Sequence, residues 1–426
     1  MPINTTESLY KGYVMPTYGR FDVKLVRGEG CKVWDEGGRE YLDFGAGIAV
    51  CSLGHSHPRI AETLSRQART LMHTSNLYYT REQGELAKVL VERVIGHEGK
   101  VFFCNSGGEA NEAMIKLARR VGNLTTPGER YEIITFNGSF HGRTLAGIAA
   151  TGQDKVKRGF EPIVPGFTHV PWQDRDAVLG AITPKTIGIL LEPIQGEGGI
   201  HVSSVEFLQF LRQVCDEHQL LLMFDEIQCG LGRTGEWCGW RSLVTDGSVE
   251  PDMVSWAKGI ACGFPMGAMY ARQKPLELLA GGEGSLDTLL SAGTHGTTYG
   301  GNPLACATAL EVFRVIEEEG LLASVKELET YAVDALCAVK SPYIQEVRGR
   351  GLMLGIELIE NFLEKAKKSE AEGAPALQVV KLLQRKGLLC IPAGANVVRW
   401  LPPLNVSRTD IDQAVSILST VLKELP

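Results

Sequence analysis

Between residues 76 and 320 the chain alternates short apolar runs with stretches whose apolar positions recur every three or four residues. The short runs, Val101–Cys104, Glu132–Phe136, Thr186–Glu192, Leu220–Asp225 and Met253–Ala257, predict buried strands. Gly108–Val121, Ser204–His218 and Asn302–Glu319 carry the helical period. In the first of these, Ala110, Ala113, Met114, Leu117, Ala118 and Val121 fall on one helix face. Strand–helix alternation of this kind predicts an α/β fold, a mostly parallel sheet covered by helices on both faces.

The flanks have a different rhythm. The first 75 residues or so read as strand-rich, with a hairpin signal in CKVWDEGGREYLDF turning at Gly37-Gly38. The last hundred or so predict helix Leu321–Val339, strand Val347–Leu358, helix Ala374–Lys386, strand Val397–Leu401 and helix Thr409–Leu425. Ser407 with Asp410 marks the start of the last helix. The expected organisation is an N-terminal segment, 1–75, that joins the small domain, a large domain over 76–320, and a smaller α+β domain over 321–426. NFLEKAKKSEAEGAPA is the single linker-like stretch. The absence of internal repeats excludes a solenoid scaffold.

Composition narrows the partners. Of 426 residues 44% are hydrophobic and 22% charged, ordinary values for a globular enzyme. A net charge of -7 without a Lys/Arg-rich block disfavours nucleic acid and anionic membrane. No apolar run approaches the roughly 18 residues of a membrane span, and MPINTTESLYKGYVM lacks a basic start and an apolar signal core. Ten cysteines without a CxxC pair point to reduced thiols in the cytosol. His55 and His57 in LGHSHP are a weak metal signal, and no metal is expected.

Candidate chemistry begins at VSWAKGIACGFPMGA, where Lys258 closes an apolar run. A free lysine titrates at about 10.4 and is rarely buried unless it is paired or chemically changed. The simpler alternative is a strand end whose lysine reaches solvent. Asp225 closes another apolar run, in QLLLMFDEIQCG, roughly one βαβ unit earlier. Both stand at the carboxyl ends of strands, where open α/β sheets bind ligands. Ser106-Gly107-Gly108 joins a strand to a helix, a junction whose free N–H groups and dipole suit a phosphate. No Walker lysine accompanies it, which argues against a nucleoside triphosphate. GLGRTG, Gly230 to Gly235, matches a dinucleotide motif, but the Glu236-Trp237-Cys238-Gly239-Trp240 that follows is poor helix material, so NAD is not expected.

FNGSFHGRTLA adds Phe140, His141 and Arg143, an aromatic able to cover a flat ring and an arginine able to grip a carboxylate. NVVRWLPPLNV places Arg399 in an apolar strand, where an unpaired guanidinium is costly. EPIQGEGG offers Glu192 and Glu197, either of which could pair it. Each feature taken singly has a structural explanation. Together, a phosphate cup, a ring cover, a carboxylate for a ring nitrogen, an imine-forming lysine and arginines for carboxylates describe one ligand, pyridoxal 5′-phosphate (PLP).

From Tyr18 to the C-terminal helix the chain resembles the class III (subgroup II) aminotransferases of PLP fold type I. The motifs that carry the resemblance are NSGGEANEAMIKLAR, FHGRT, EPIQGEGG, FDEIQCGLGRTG, AKGIACGFPMGA, THGTTYGGNPLA and VRWLPPL. It implies a large PLP-binding domain with a smaller C-terminal one. It implies that Lys258 forms an imine with the cofactor and moves protons, and that Asp225 keeps the pyridine nitrogen protonated. Gln228 would meet the ring hydroxyl oxygen, with Phe140 stacked on the ring and His141 beside it. Ser106, Gly107 and Gly108 would hold the phosphate. Thr298 would reach the phosphate of a partner subunit, which implies a homodimer with shared sites. Tyr18 and Arg143 lie where the family binds the distal carboxylate, and Glu197 with Arg399 would form a switch between substrates. Gly108 departs from relatives that carry threonine or alanine there. LGHSHP, HTSNLYYT and Ile48 in GAGIAVCSLGH most resemble members acting on N-acetylornithine, with 2-oxoglutarate as acceptor, in cytosolic arginine biosynthesis. Succinylornithine, ornithine, lysine and 4-aminobutyrate stay open as donors. Ile48 stands where ornithine-specific members carry tyrosine.

Overall fold

The computed structural model describes residues 5–279, 283–366 and 373–425. Its centre is a seven-stranded sheet in the spatial order Gly99–Cys104, Gly267–Arg272, Met253–Trp256, Leu221–Asp225, Thr186–Leu191, Glu132–Phe136, Phe167–Val170. Six strands run in one direction, and Gly267–Arg272 alone runs against them, antiparallel to both of its neighbours. Thr186–Leu191, Leu221–Asp225 and Met253–Trp256 are buried at every residue, the pattern of a sheet covered on both faces. One covering layer packs Phe207, Phe224, Trp240 and Trp256 together, and another packs Met114, Leu117, Met223 and Met253.

The covering helices start where local chemistry starts them. Ser106, Ser204 and Asn302 each accept a backbone N–H three residues on, opening Gly107–Thr125, Val205–Glu217 and Pro303–Glu318. Caps of this type stabilise a helix by about 1 kcal/mol.

A further core gathers Leu42, Phe44 and Leu53 from the N-terminal part with Leu354, Trp400 and Leu418 from the C-terminal part. Leu388–Leu389 pairs in parallel with Glu40–Asp43, tying the two ends of the chain together. The hairpin expected around Gly37-Gly38 forms from Lys32–Asp35 and Glu40–Asp43.

Two expectations are corrected. Val347–Leu358 is not one strand but an antiparallel hairpin, Ile344–Arg350 and Met353–Leu358. The chain reverses at Gly351, whose φ of +57° favours glycine, and a Cβ there would lie 2.4 Å from the Arg233 carbonyl oxygen. The first 75 residues also hold helices Thr6–Tyr13 and Pro58–Thr70. Pro58 opens the second, and it buries Ile60, Thr63 and Gln67, a face too polar to announce itself as helical. Residues 367–372 of the linker-like stretch lie outside the described residues. Among the described residues, no helix is long and apolar enough to cross a membrane.

Candidate active site

A cavity of about 270 Å³ opens at the carboxyl ends of Leu221–Asp225 and Met253–Trp256. These strands are adjacent and parallel, with Asp225 opposite Ser255. Neighbouring strand ends therefore bring Asp225 and Lys258 to one cavity. Lys258 begins a 3₁₀ turn, Lys258–Ala261, with φ +43°, a left-handed conformation unusual for a residue with a side chain. Ser52 Oγ donates to the Gly259 carbonyl oxygen at 3.0 Å and anchors the turn. Burial pushes the Lys258 ammonium below its ordinary range, against the opposing pull of Glu197.

Asp225 is fixed by three donors. Its Oδ2 accepts from Asn111 Nδ2 at 2.7 Å and lies 2.8 Å from His141 Nδ1, and its Oδ1 accepts the Ile227 N–H at 3.1 Å. Asn111 is itself held, accepting from Ser255 Oγ at 2.7 Å and donating to the His141 carbonyl oxygen at 2.9 Å. A carboxylate held this way in a buried network keeps one orientation. Asn111 and Ser255 were not anticipated from the sequence. The only signal was a fully buried asparagine beside the apolar face of its helix.

Ser106, Gly107 and Gly108 line the cavity at the N-terminus of Gly107–Thr125, where amide hydrogens and the helix dipole face an anion. A Cβ at Gly107 would sit 2.6 Å from Ile227 Cδ1, so the junction approaches the strand end closely. At Gly108 a Cβ would meet Thr144 Cγ2 at 3.4 Å, an ordinary contact, so space does not demand glycine there. Gly267 lies beneath, and a Cβ on it would stand 2.5 Å from the Ser106 carbonyl oxygen. Gly267→Ala is therefore expected to push the junction aside and destabilise the protein by about 1–3 kcal/mol. Paired thermal melts with and without cofactor would show it, and an unchanged holo midpoint would show that the junction tolerates the shift.

Arg399 is completely buried. Its Nη1 donates to Glu197 Oε1 at 2.7 Å and to Gln228 Oε1 at 2.8 Å, while its Nε and Nη2 have no protein partner. A guanidinium with two free N–H groups is ready to bind a carboxylate through paired hydrogen bonds. Burial pushes the Glu197 carboxyl up, but the Arg399 guanidinium outweighs it and holds it below its ordinary range. Glu192 is used otherwise. Its oxygens accept the N–H groups of Phe140, at 2.9 Å, and Gly196, at 3.0 Å. Burial, with Asp225 nearby, pushes it up to about 7.

Of the residues singled out in the sequence, Ser106, Gly107, Gly108, Phe140, His141, Asp225, Gln228 and Lys258 line this one cavity. Glu197 and Arg399 join it through Gln228. Gln228 presents its carbonyl oxygen to Arg399, which leaves its amide nitrogen for a ligand. Tyr18, three-quarters exposed, and Thr298 lie outside the cavity in the single chain. Arg143 is exposed, with its guanidinium 5.6 Å from the Phe140 ring centroid.

The family described as aminotransferase class-III matches residues 13–422. The acetylornithine aminotransferase of Thermosynechococcus vestitus is 46% identical over 422 residues, 97% of this chain and 95% of that protein. That of Methanocaldococcus jannaschii is 43% identical over 419 residues, 98% of each. Among solved structures, N-acetylornithine aminotransferase from Stenotrophomonas maltophilia superposes with a TM-score of 0.78 at 34% identity, covering 98% of each chain. An ornithine aminotransferase from Toxoplasma gondii, described with partial occupancy of PLP at its active site, gives 0.88 at 30% identity, covering 98% of this chain and 93% of that one.

Proposed function

The chain belongs to the class-III aminotransferases, and from that premise we propose that it moves the terminal amine of N2-acetylornithine to 2-oxoglutarate, giving N-acetylglutamate 5-semialdehyde and glutamate. Named acetylornithine aminotransferases at 42–46% identity over almost the whole chain support this donor. The neighbour with the higher TM-score is an ornithine aminotransferase, but the fold is shared across donors and the choice of donor lies in the site.

PLP is the cofactor. The cavity suits it on its own terms: an amide-rich helix start for a phosphate, an immobilised buried carboxylate for a cationic ring nitrogen, and a buried lysine whose ammonium is pushed down by burial. Bound PLP supplies a carbonyl that condenses with amines and a ring that withdraws electrons from the amine-bearing carbon. Ser106, Gly107 and Gly108 would hold its phosphate, Phe140 would cover its ring, and Gln228 would meet the ring hydroxyl through its amide nitrogen. Asp225, oriented by His141 and Asn111, would keep a proton on the ring nitrogen. Lys258 Nζ would take the proton from the substrate's amine-bearing carbon and deliver it to the cofactor carbon that was the carbonyl, on the far side of the nitrogen that joins the two.

The Glu197–Arg399 pair, 2.7 Å long, is the single feature of the site that carries the two-substrate reading. The amine end of N-acetylornithine bears no carboxylate, so a bare Arg399 beside it would be an uncompensated buried charge, and Glu197 compensates it. Glutamate and 2-oxoglutarate bring a carboxylate of their own, and the free Nε and Nη2 edge can receive it once Glu197 swings away. Glu197→Ala is expected to slow the N-acetylornithine half-reaction by about tenfold or more and the glutamate half-reaction by less than about threefold. Single-turnover absorbance of each half-reaction would measure both, and equal losses would remove the switch.

Tyr18 and Arg143 supply the distal carboxylate site, and Thr298 reaches the cofactor phosphate of a second copy in a homodimer. Leu77, Tyr79 and Tyr299, each well over half exposed, support a covered face near Thr298. The setting is cytoplasmic arginine biosynthesis. The donor is tested by adding N-acetylornithine, without a keto acid, to the purified PLP form and following the visible band. Loss of the band faster than with ornithine or 4-aminobutyrate supports the assignment. An inert N-acetylornithine beside a responsive glutamate would move the donor to ornithine or another relative.

A further inference from the structure

Residues 46–49 adopt a conformation that L-amino acids avoid. Ala46, Gly47, Ile48 and Ala49 have φ of +44°, +66°, +67° and +61°, four consecutive left-handed residues. Left-handed residues occur singly, chiefly as glycine or asparagine, and not as helical turns, because each Cβ crowds the following carbonyl. Ile48, β-branched, is the least suited of the four. Strain of this kind persists only where the surroundings over-determine it, and it concentrates at functional sites.

The turn's own amides bond back, Ile48 and Ala49 N–H to the Gly45 carbonyl oxygen at 2.8 and 3.1 Å and Val50 N–H to that of Ala46 at 2.8 Å, and its start is held by one carboxylate and one imidazole. Asp43 Oδ1 accepts the N–H groups of Gly45, at 2.9 Å, and Ala46, at 3.0 Å, at the start of the turn. Asp43 Oδ2 lies 2.8 Å from His55 Nε2, with the Asp43 carboxylate 10% and His55 22% exposed at the side chain. His55 is immobile, because its backbone exchanges both hydrogen bonds with Gly30, at 2.8 and 3.0 Å. Asp43 first, then the Cys51 thiol, push the His55 imidazolium up to about 10.

The turn forms a partition. Val50, just beyond it, lines the cavity that holds Lys258. Gly45, Gly47 and Ile48 line a second, larger cavity of about 1000 Å³ shared with Glu7, Tyr10 and Arg20. Two residues after Val50, Ser52 anchors the Lys258 turn through Gly259. A change of handedness at 46–49 would therefore move the wall beside the reacting amine.

We propose that Asp43 and His55 are positioning residues for amine-donor selection: their ion pair holds residues 46–49 left-handed, and the held turn places Ile48 and Val50 where they admit one donor over another. This inference rests on the reaction proposed above. It assigns donor discrimination to a carboxylate and an imidazole that do not line the Lys258 cavity.

The test compares N-acetylornithine with ornithine on the holoenzyme of Asp43→Asn and of His55→Asn, with circular dichroism and a thermal melt to establish folding. Asp43→Asn is expected to lower the ratio of the two kcat/KM values about tenfold, the factor that one left-handed residue's preference converts to. The change should lie in KM, with the glutamate half-reaction altered by less than about twofold. His55→Asn keeps both amide bonds of Asp43, so its ratio should fall in the same direction and by less. Adding Ala46→Gly to Asp43→Asn should recover most of the ratio, since glycine enters the left-handed region without penalty. An unchanged ratio in either folded single variant overturns the inference. So does a loss that Ala46→Gly deepens, because a merely loosened structure gains nothing from glycine. A wild-type enzyme inert towards N-acetylornithine would instead overturn the proposed donor. The same variants would then be scored on whichever pair of amines the wild type separates.

Discussion

Lys258→Ala is expected to lower turnover about ten-thousandfold while leaving the protein folded. Two proposed contributions are lost together: the amine that would condense with the cofactor carbonyl and the group that would carry the proton from the substrate's amine-bearing carbon to that carbonyl carbon. Positioned proton transfer alone is worth about a hundred- to ten-thousandfold, and no neighbour can substitute for it. Glu197 is tied to Arg399, Glu192 is engaged by two backbone amides, and His141 is bound to Asp225. Stability should hold or rise. Burial already disfavours the Lys258 ammonium, so its removal relieves a desolvation penalty and forfeits only the long-range attraction of Glu197, Glu192 and Asp225. Stopped-flow absorbance with N-acetylornithine measures the rate, and a melt measures the fold. A folded Lys258→Ala enzyme within about a hundredfold of wild type would mean that another base serves the site.

The catalytic geometry was legible where it depends on strand ends. Apolar runs broken by a single charged residue placed Asp225 and Lys258, and parallel pairing of Leu221–Asp225 with Met253–Trp256 brings them to one cavity. The α/β fold followed from strand–helix alternation for the same reason: fully buried strands must be apolar throughout. Direction and handedness were not legible. Gly267–Arg272 is antiparallel in a parallel sheet, and a short apolar segment after a glycine-rich turn carries no mark of its direction. The left-handed turn at 46–49 is invisible because three of its residues are alanine and isoleucine, which give no turn signal, and its clamp comes from His55, several residues further along. From the residues alone the partner of Arg399 was open between Glu192 and Glu197, and it was the family resemblance that singled out Glu197. Only the structure shows that Glu192 is already claimed by the amides of Phe140 and Gly196. Tyr18 and Thr298 lie outside the cavity of one chain, and the second copy proposed to bring Thr298 to a phosphate is something strand and helix periodicity does not encode.

Asp225→Asn carries the second large effect. The native carboxylate only accepts, and three donors point at it: Asn111 Nδ2, His141 Nδ1 and the Ile227 N–H. An asparagine there replaces one oxygen by an NH₂ group. If its oxygen stays with Asn111 and His141, its NH₂ meets the Ile227 N–H. If it flips, the NH₂ meets two donors instead of one. Either orientation leaves a buried donor unsatisfied, at a cost of about 1–3 kcal/mol. More important for rate, the neutral amide cannot balance a proton on the ring nitrogen. Electrons from the substrate carbon then have a much poorer destination, and preorganised charge of this kind is worth about a hundred- to a thousandfold. Asp225→Glu keeps the charge but misplaces it by one methylene, so it should recover cofactor affinity better than rate. Fluorescence titration of PLP separates affinity from turnover in both variants. A folded Asp225→Asn enzyme within about threefold of wild-type turnover would remove Asp225 as the counter-charge, and Glu192, the other buried carboxylate of the cavity, would become the group to test.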